Sequence, residues 1–174
     1  MATREILLLG NPVLRSACST VKTSDGGALG ALVEDLRDTL NDFRTRHGFG
    51  RGISAPQIGV NQRVIFVDAG EPFALVNPII VKRSRRQMTL WDDCFSFPDL
   101  LAKVKRNLAI EVRYQDLSGR KHRLAAEGAL SELLQHEIDH INGILAIDRA
   151  IDTRHIVYRR ELEKREKASE DVLL

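Results

Sequence analysis

The chain has 174 residues, 43% hydrophobic and 29% charged, which suits one domain that buries roughly 70% of its unfolded surface and excludes general disorder. Lys and Arg total 26 against 24 Asp and Glu, a formal charge of +2, and aromatic residues make up 5%; no DNA partner or base-stacking platform is expected. Two cysteines, Cys18 and Cys94, cannot form a disulfide framework, and the apolar run Ile6-Leu7-Leu8-Leu9 is too short for a signal-peptide core. No stretch approaches the roughly 20 apolar residues of a membrane span. These features predict a soluble cytoplasmic protein with residues 1–174 as a single domain.

In chain order, Leu29, Leu32, Val33, Leu36, Leu40 and Phe43 recur at helical spacing, with Ser24 or Asp25 as cap and Gly48 beyond the end. Residues 48–59 hold four glycines and Pro56 and read as a loop with backbone demands. Residues 63–68 and 73–80 read as strands around a turn at Gly70-Glu71-Pro72. After the unusual stretch 91–98, the alternation of Leu108, Ile110, Val112 and Tyr114 predicts a half-buried strand. Ser118-Gly119 then turns the chain back into 121–125. A helix over 129–142 closes at Gly143, and a polar helix with its tail fills 152–174. Helix, strands, then helices, without βαβ alternation, predict an α+β fold with mainly antiparallel sheets around a central metal-binding helix.

Chemistry concentrates in Gln135-His136-Glu137-Ile138-Asp139-His140. Two of the five histidines stand four residues apart, on one helix face, where they can grip one metal ion with Glu137 beside them. A surface helix with two solvated histidines is the plainer alternative. A third ligand is required. His155, Glu161 and Glu163 lie downstream, as a metalloprotease would need, whereas Cys94 follows two acids between strands and is the better candidate. Cys18, with no histidine near it in sequence, reads as a buried inert thiol.

Gly50-Arg51-Gly52-Ile53-Ser54-Ala55-Pro56-Gln57, Asp92-Asp93-Cys94-Phe95-Ser96 and the histidine motif, in this order, resemble the three motifs of the peptide deformylases. Asn11-Pro12-Val13-Leu14-Arg15 and Asn77-Pro78 extend the resemblance over residues 4–165. The resemblance implies that Cys94, His136 and His140 hold one divalent metal ion, Fe²⁺ with Zn²⁺, Ni²⁺ or Co²⁺ as substitutes, and that Glu137 is the general acid and base. It also implies that Gln57 and the backbone N–H of Phe95 stabilise the oxyanion, and that Gly50, Gly52, Ile53, Asp93 and Leu101 border the peptide. The implied substrate is the N-formylated nascent peptide. A weak ribosome contact through the C-terminal helix is a further implication.

The chain departs from the family pattern at specific positions. Asp93 replaces a glycine, which predicts a narrower or more negative peptide-binding edge; Asp92 replaces a glutamate and is expected to pair with Arg106. Ser54 in place of alanine reads as tolerable, and Leu101 stands where many members carry arginine. These changes keep three other readings in view: hydrolysis of another N-formyl or short N-acyl amide, a non-catalytic metal-binding protein, and an endoprotease with a downstream ligand.

Overall fold

The computed structural model describes residues 3–22 and 26–171. Helix α1 (Gly26–His47) lays the apolar face read from the sequence against Ile53, Val64, Phe66, Val76 and Phe95, forming the first of three core clusters. It stops at Gly48, whose N–H bonds Arg44 O at 2.8 Å. The expected caps, Ser24 and Asp25, lie outside the described residues.

Strands β1 (Gly52–Ser54), β2 (Val64–Val67), β3 (Phe73–Arg83), β6 (Ala109–Gln115) and β7 (Lys121–Glu127) form one antiparallel sheet, ordered β1-β2-β3-β6-β7. β3 shifts register between Val76 and Ile79, where Asn77 adopts φ 52°. The Asn77 side chain stabilises that bulge, accepting from Val21 N–H and donating to Val21 O and Gln115 Oε1, each at 2.9 Å.

A second antiparallel sheet, β4 (Gln87–Asp93), β5 (Leu100–Asn107) and β8 (Ile156–Tyr158), runs in the order β4-β5-β8. Helix α2 (Gly128–His140) lies between the sheets. Leu133, Leu134 and Ile138 pack on Ile65, Val67, Leu75, Ile110 and Val112 of the larger sheet. The helix closes as expected: Gly143 takes φ +74°, its N–H bonds His140 O at 3.0 Å, and Ile144 N–H bonds Asp139 O at 3.0 Å. That is the 6→1, 5→2 pairing of a Schellman end. A Cβ on Gly143 would lie 2.6 Å from Arg15 O, so the position also lacks room.

Three expectations require correction. The loop over 48–59 contains the fully buried strand β1, because pairing with β2 satisfies its backbone in the core. The unusual stretch 91–98 is strand in part: Trp91–Asp93 close β4, and β5 begins two residues beyond Pro98. The helix expected from 152 begins only at Arg159, as α3 (Arg159–Asp171). Its first third is a 3-10 turn (Thr153–His155) followed by β8, since Ile156, Val157 and Tyr158 are branched or aromatic and extend β5 at Leu100–Ala102. No helix among the described residues is long and apolar enough to cross a membrane.

Candidate active site

α2 carries two adjoining stripes. The apolar one faces the large sheet, and His136 and His140 face the end of β4, where the chain turns through Cys94. His140 Nε2 lies 3.1 Å from His136 Nε2 and 3.2 Å from Cys94 Sγ, and all three residues are buried. Three soft or borderline donor atoms converging on one point fit a first-row divalent cation with one position left for water. Asp92, Glu132 and His136 form a second cluster of the same kind, but its polar atoms are already engaged: His136 with Asp92, Asp92 with Arg106, and Glu132 with Arg51.

The ligand atoms are oriented from behind. His136 Nδ1 donates to Asp92 Oδ1 at 2.7 Å, which turns its Nε2 lone pair toward Cys94 and His140. Arg106, also buried, donates to Asp92 Oδ2 at 2.8 Å and to Asp139, and Arg149 adds a bond to Asp139 Oδ1 at 2.8 Å. The expected Asp92–Arg106 pair is therefore one link in a chain of four charged residues. Burial works to raise the Asp92 carboxyl, but His136 and Arg106 outweigh it and hold it at about 2. Burial pushes His140 well below its ordinary value, which favours the neutral, ligating form.

Glu137 is buried, and among the described residues its Oε2 has no hydrogen-bond partner. Burial pushes its carboxyl up to about 7, against a smaller opposing pull from His136. β1 passes it so closely that a Cβ on Gly52 would lie 3.1 Å from Glu137 Oε1 and 3.0 Å from Leu133 Cδ1. Gln57 sits on the 3-10 turn after β1, its Oε1 accepting from the Ser54 N–H and the Ser54 hydroxyl, both at 2.9 Å. With its oxygen so occupied, the amide presents Nε2 toward Cys94 Sγ, 3.8 Å away.

A cleft of about 480 Å³ opens over this centre, lined by Gly50, Gly52, Gln57, Trp91, Asp93 and Glu137 among others. Gly50 adopts φ +127°, and a Cβ there would overlap the Phe95 ring at 2.4 Å, so only glycine lets the chain cross that ring. The Phe95 ring stacks on Phe43 at 3.8 Å. Two expected cleft residues are absent from its lining: Ile53 is fully buried in the first core cluster, and Leu101 is buried on β5 opposite Asp93. Asp93 does line the cleft but does not make its edge negative, because Arg159 Nη2 donates to Asp93 Oδ2 at 2.9 Å. The downstream residues stand apart from the cluster, His155 bonded to Asp152 and Glu161 to Lys164. Both cysteines are free, Cys18 buried against Ile141 in a different core cluster from Cys94.

Sequence reasoning read Ser54 only as a tolerable replacement and gave no role to Arg149 and Arg159. Ser54 stood within a quoted motif and its hydroxyl was a usable signal; the two arginines act across folds of the chain that no local pattern reveals.

A buried thiol, two imidazoles and a carboxyl with one free oxygen within an α+β domain define a metallohydrolase of amide bonds. The sequence profile of the polypeptide deformylases matches residues 3–155. The peptide deformylase of Rhizobium meliloti is 38% identical over 154 residues, covering 85% of each chain. The crystal structure of peptide deformylase from Thermotoga maritima superposes with a TM-score of 0.80 at 32% identity, covering 87% of this chain and all of that one. The Met-Ala-Ser-bound class I type b peptide deformylase of Acinetobacter baumannii superposes at 0.79 with 26% identity, covering 85% and 98%. The chain belongs to the polypeptide deformylase family.

Proposed function

We propose that Cys94, His136, His140, Glu137 and Gln57 carry out the family's reaction here: hydrolytic removal of the formyl group from the formyl-methionine that begins a nascent polypeptide. The observation that carries this reading is the convergence of the three donor atoms, 3.1 and 3.2 Å apart, beside a buried carboxyl with a free oxygen. The ion, Fe²⁺ in this reading with Zn²⁺, Ni²⁺ or Co²⁺ able to stand in, supplies Lewis acidity that activates a water and polarises the formyl carbonyl.

The remaining work falls to the chain. Glu137, whose carboxyl is pushed up to about 7, takes the proton of the attacking water and returns it to the departing amine, so one group serves both steps. Gln57 Nε2 donates to the oxygen that gains charge, its orientation fixed in advance by Ser54, and the Phe95 backbone N–H is the second donor; one such donor typically accounts for about 3 kcal/mol of barrier. Gly50, Gly52 and Asp93 border the peptide. The bound Met-Ala-Ser of the Acinetobacter baumannii neighbour supports a tripeptide-sized occupant. The reading places the work in the cytoplasm, where translation delivers formylated chains, with a weak ribosome contact through α3.

The test is deformylation of formyl-Met-Ala-Ser by anaerobically prepared, iron-loaded protein. Turnover that vanishes in Glu137→Ala at matched metal content is expected. Absence of turnover at full metal occupancy overturns the reading.

A further inference from the structure

The charged side chains lining the cleft are neutralised in pairs. On one wall Arg44 Nη1 meets Asp68 Oδ2 at 2.9 Å, and Arg51 Nη2 meets Glu132 Oε2 at 2.6 Å. On the other, Asp93 meets Arg159 at 2.9 Å and Asp92 meets Arg106 at 2.8 Å. Among the described residues, Glu137 is the one lining carboxylate without an ion pair. Three of the countercharges, Asp68, Arg106 and Arg159, do not themselves line the cleft. The Asp93 and Arg159 side chains are 40% and 28% exposed, so their pair contributes little to stability. Its position is nonetheless closely fixed. The Arg159 guanidinium lies 4.2 Å over the Phe49 ring, its Nε donates to Pro98 O at 3.2 Å, and its backbone N–H donates to Asp99 O at 2.8 Å.

We propose that this pairing makes the cleft indifferent to the charge of the residue following the methionine, and that Arg159 and Asp68 are the specificity-determining residues that keep it so. The proposal rests on the deformylase reading. Nascent chains carry side chains of either sign and none at their second position, and a rim with net charge would sort them. One uncompensated charge on the rim changes the binding of a charged substrate residue about fivefold at an effective dielectric between those of protein and water.

The experiment compares kcat/KM of iron-loaded protein for formyl-Met-Lys-Ser and formyl-Met-Glu-Ser. Arg159→Ala leaves Asp93 bare and raises the Lys:Glu ratio about fivefold, the change falling in KM. Asp93→Asn leaves Arg159 bare and lowers the ratio by a similar factor, and the double variant returns to the starting value. Asp68→Asn, which bares Arg44 on the opposite wall, lowers the ratio independently if either member of the first pair fails to fold. Salt at about 0.5 M collapses every shift. A merely structural lesion slows both peptides together and does not produce opposite signs. Ratios that stay put, or that move the same way in Arg159→Ala and Asp93→Asn, overturn the proposal.

Binding of the product peptides Met-Lys-Ser and Met-Glu-Ser, followed by fluorescence of Trp91, the chain's one tryptophan and a lining residue, separates this outcome from failure of the reading beneath it. Charge-dependent binding across the variants without any turnover would sink the deformylase activity and sustain the neutral rim. Loss of that dependence sinks the rim.

Discussion

α2 and α3 have the same length, 13 residues, and both carry many polar side chains, yet they lead opposite lives. Every residue of α2 from Ser131 to His140 is buried, whereas no described side chain of α3 is, Arg159 and Leu162 at its start being half-buried and the others exposed. The difference lies in what each polar group finds. In α2, Gln135 bonds the Asn107 backbone N–H and carbonyl, His136 bonds Asp92, and Asp139 bonds Arg106 and Arg149. In α3, Lys164 reaches only Glu161 one turn away, a pair that water would replace at little cost. Burial of a polar helix therefore depends on partners supplied by other elements, and composition alone does not foretell it.

The largest break in this comparison is Arg106→Ala. It takes from the buried Asp92 and Asp139 the cation they share, leaving them only His136 and Arg149, and chemical denaturation should register a loss of about 3 kcal/mol. Gly143→Ala attacks the end of α2 instead: the left-handed backbone and the contact with Arg15 O should together lower stability by about 2–3 kcal/mol, again read by denaturation. Ser54→Ala leaves the helix intact and frees the Gln57 amide from one of its two anchors. kcat on formyl-Met-Ala-Ser should fall about fivefold to tenfold at matched metal content, equivalent to ~1 kcal/mol. Lys164→Ala sharpens the contrast from the other side, since it should shift stability by less than about 0.5 kcal/mol.

Periodicity made α1, β6, β7 and α2 legible before any coordinates, because each of these elements sets an apolar stripe against a solvated or site-facing one. β4 and β5 defeated it. In β5 the inward row Ala102, Val104 and Arg106 ends in a buried charge held between carboxylates, so the apolar alternation breaks where the site begins. β8 is three residues long and exists only as an extension of β5. At the site, Cys94 and the two histidines could be read from residue chemistry and motif. Ser54's hold on Gln57, three residues on, was legible in the motif, whereas the reach of Arg159 across 66 residues to Asp93 was not, since it depends on folded neighbours.

The contact of Gly143 with Arg15 has a consequence for chronology. The Cys18 N–H bonds Ile141 O at 2.9 Å, the Leu7 N–H bonds Gln57 O, and the Leu9 N–H bonds Ser96 O. During synthesis Leu7 can meet Gln57, and Leu9 can meet Ser96, well before Arg15 and Cys18 meet residues 141–143, so the N-terminal segment is received in stages. A polypeptide halted before residue 136 already owns the cysteine but neither imidazole, and Arg159 has yet to meet Asp93. A protein whose work lies at the first residue of other chains thus completes its own site only after residue 159 has been made.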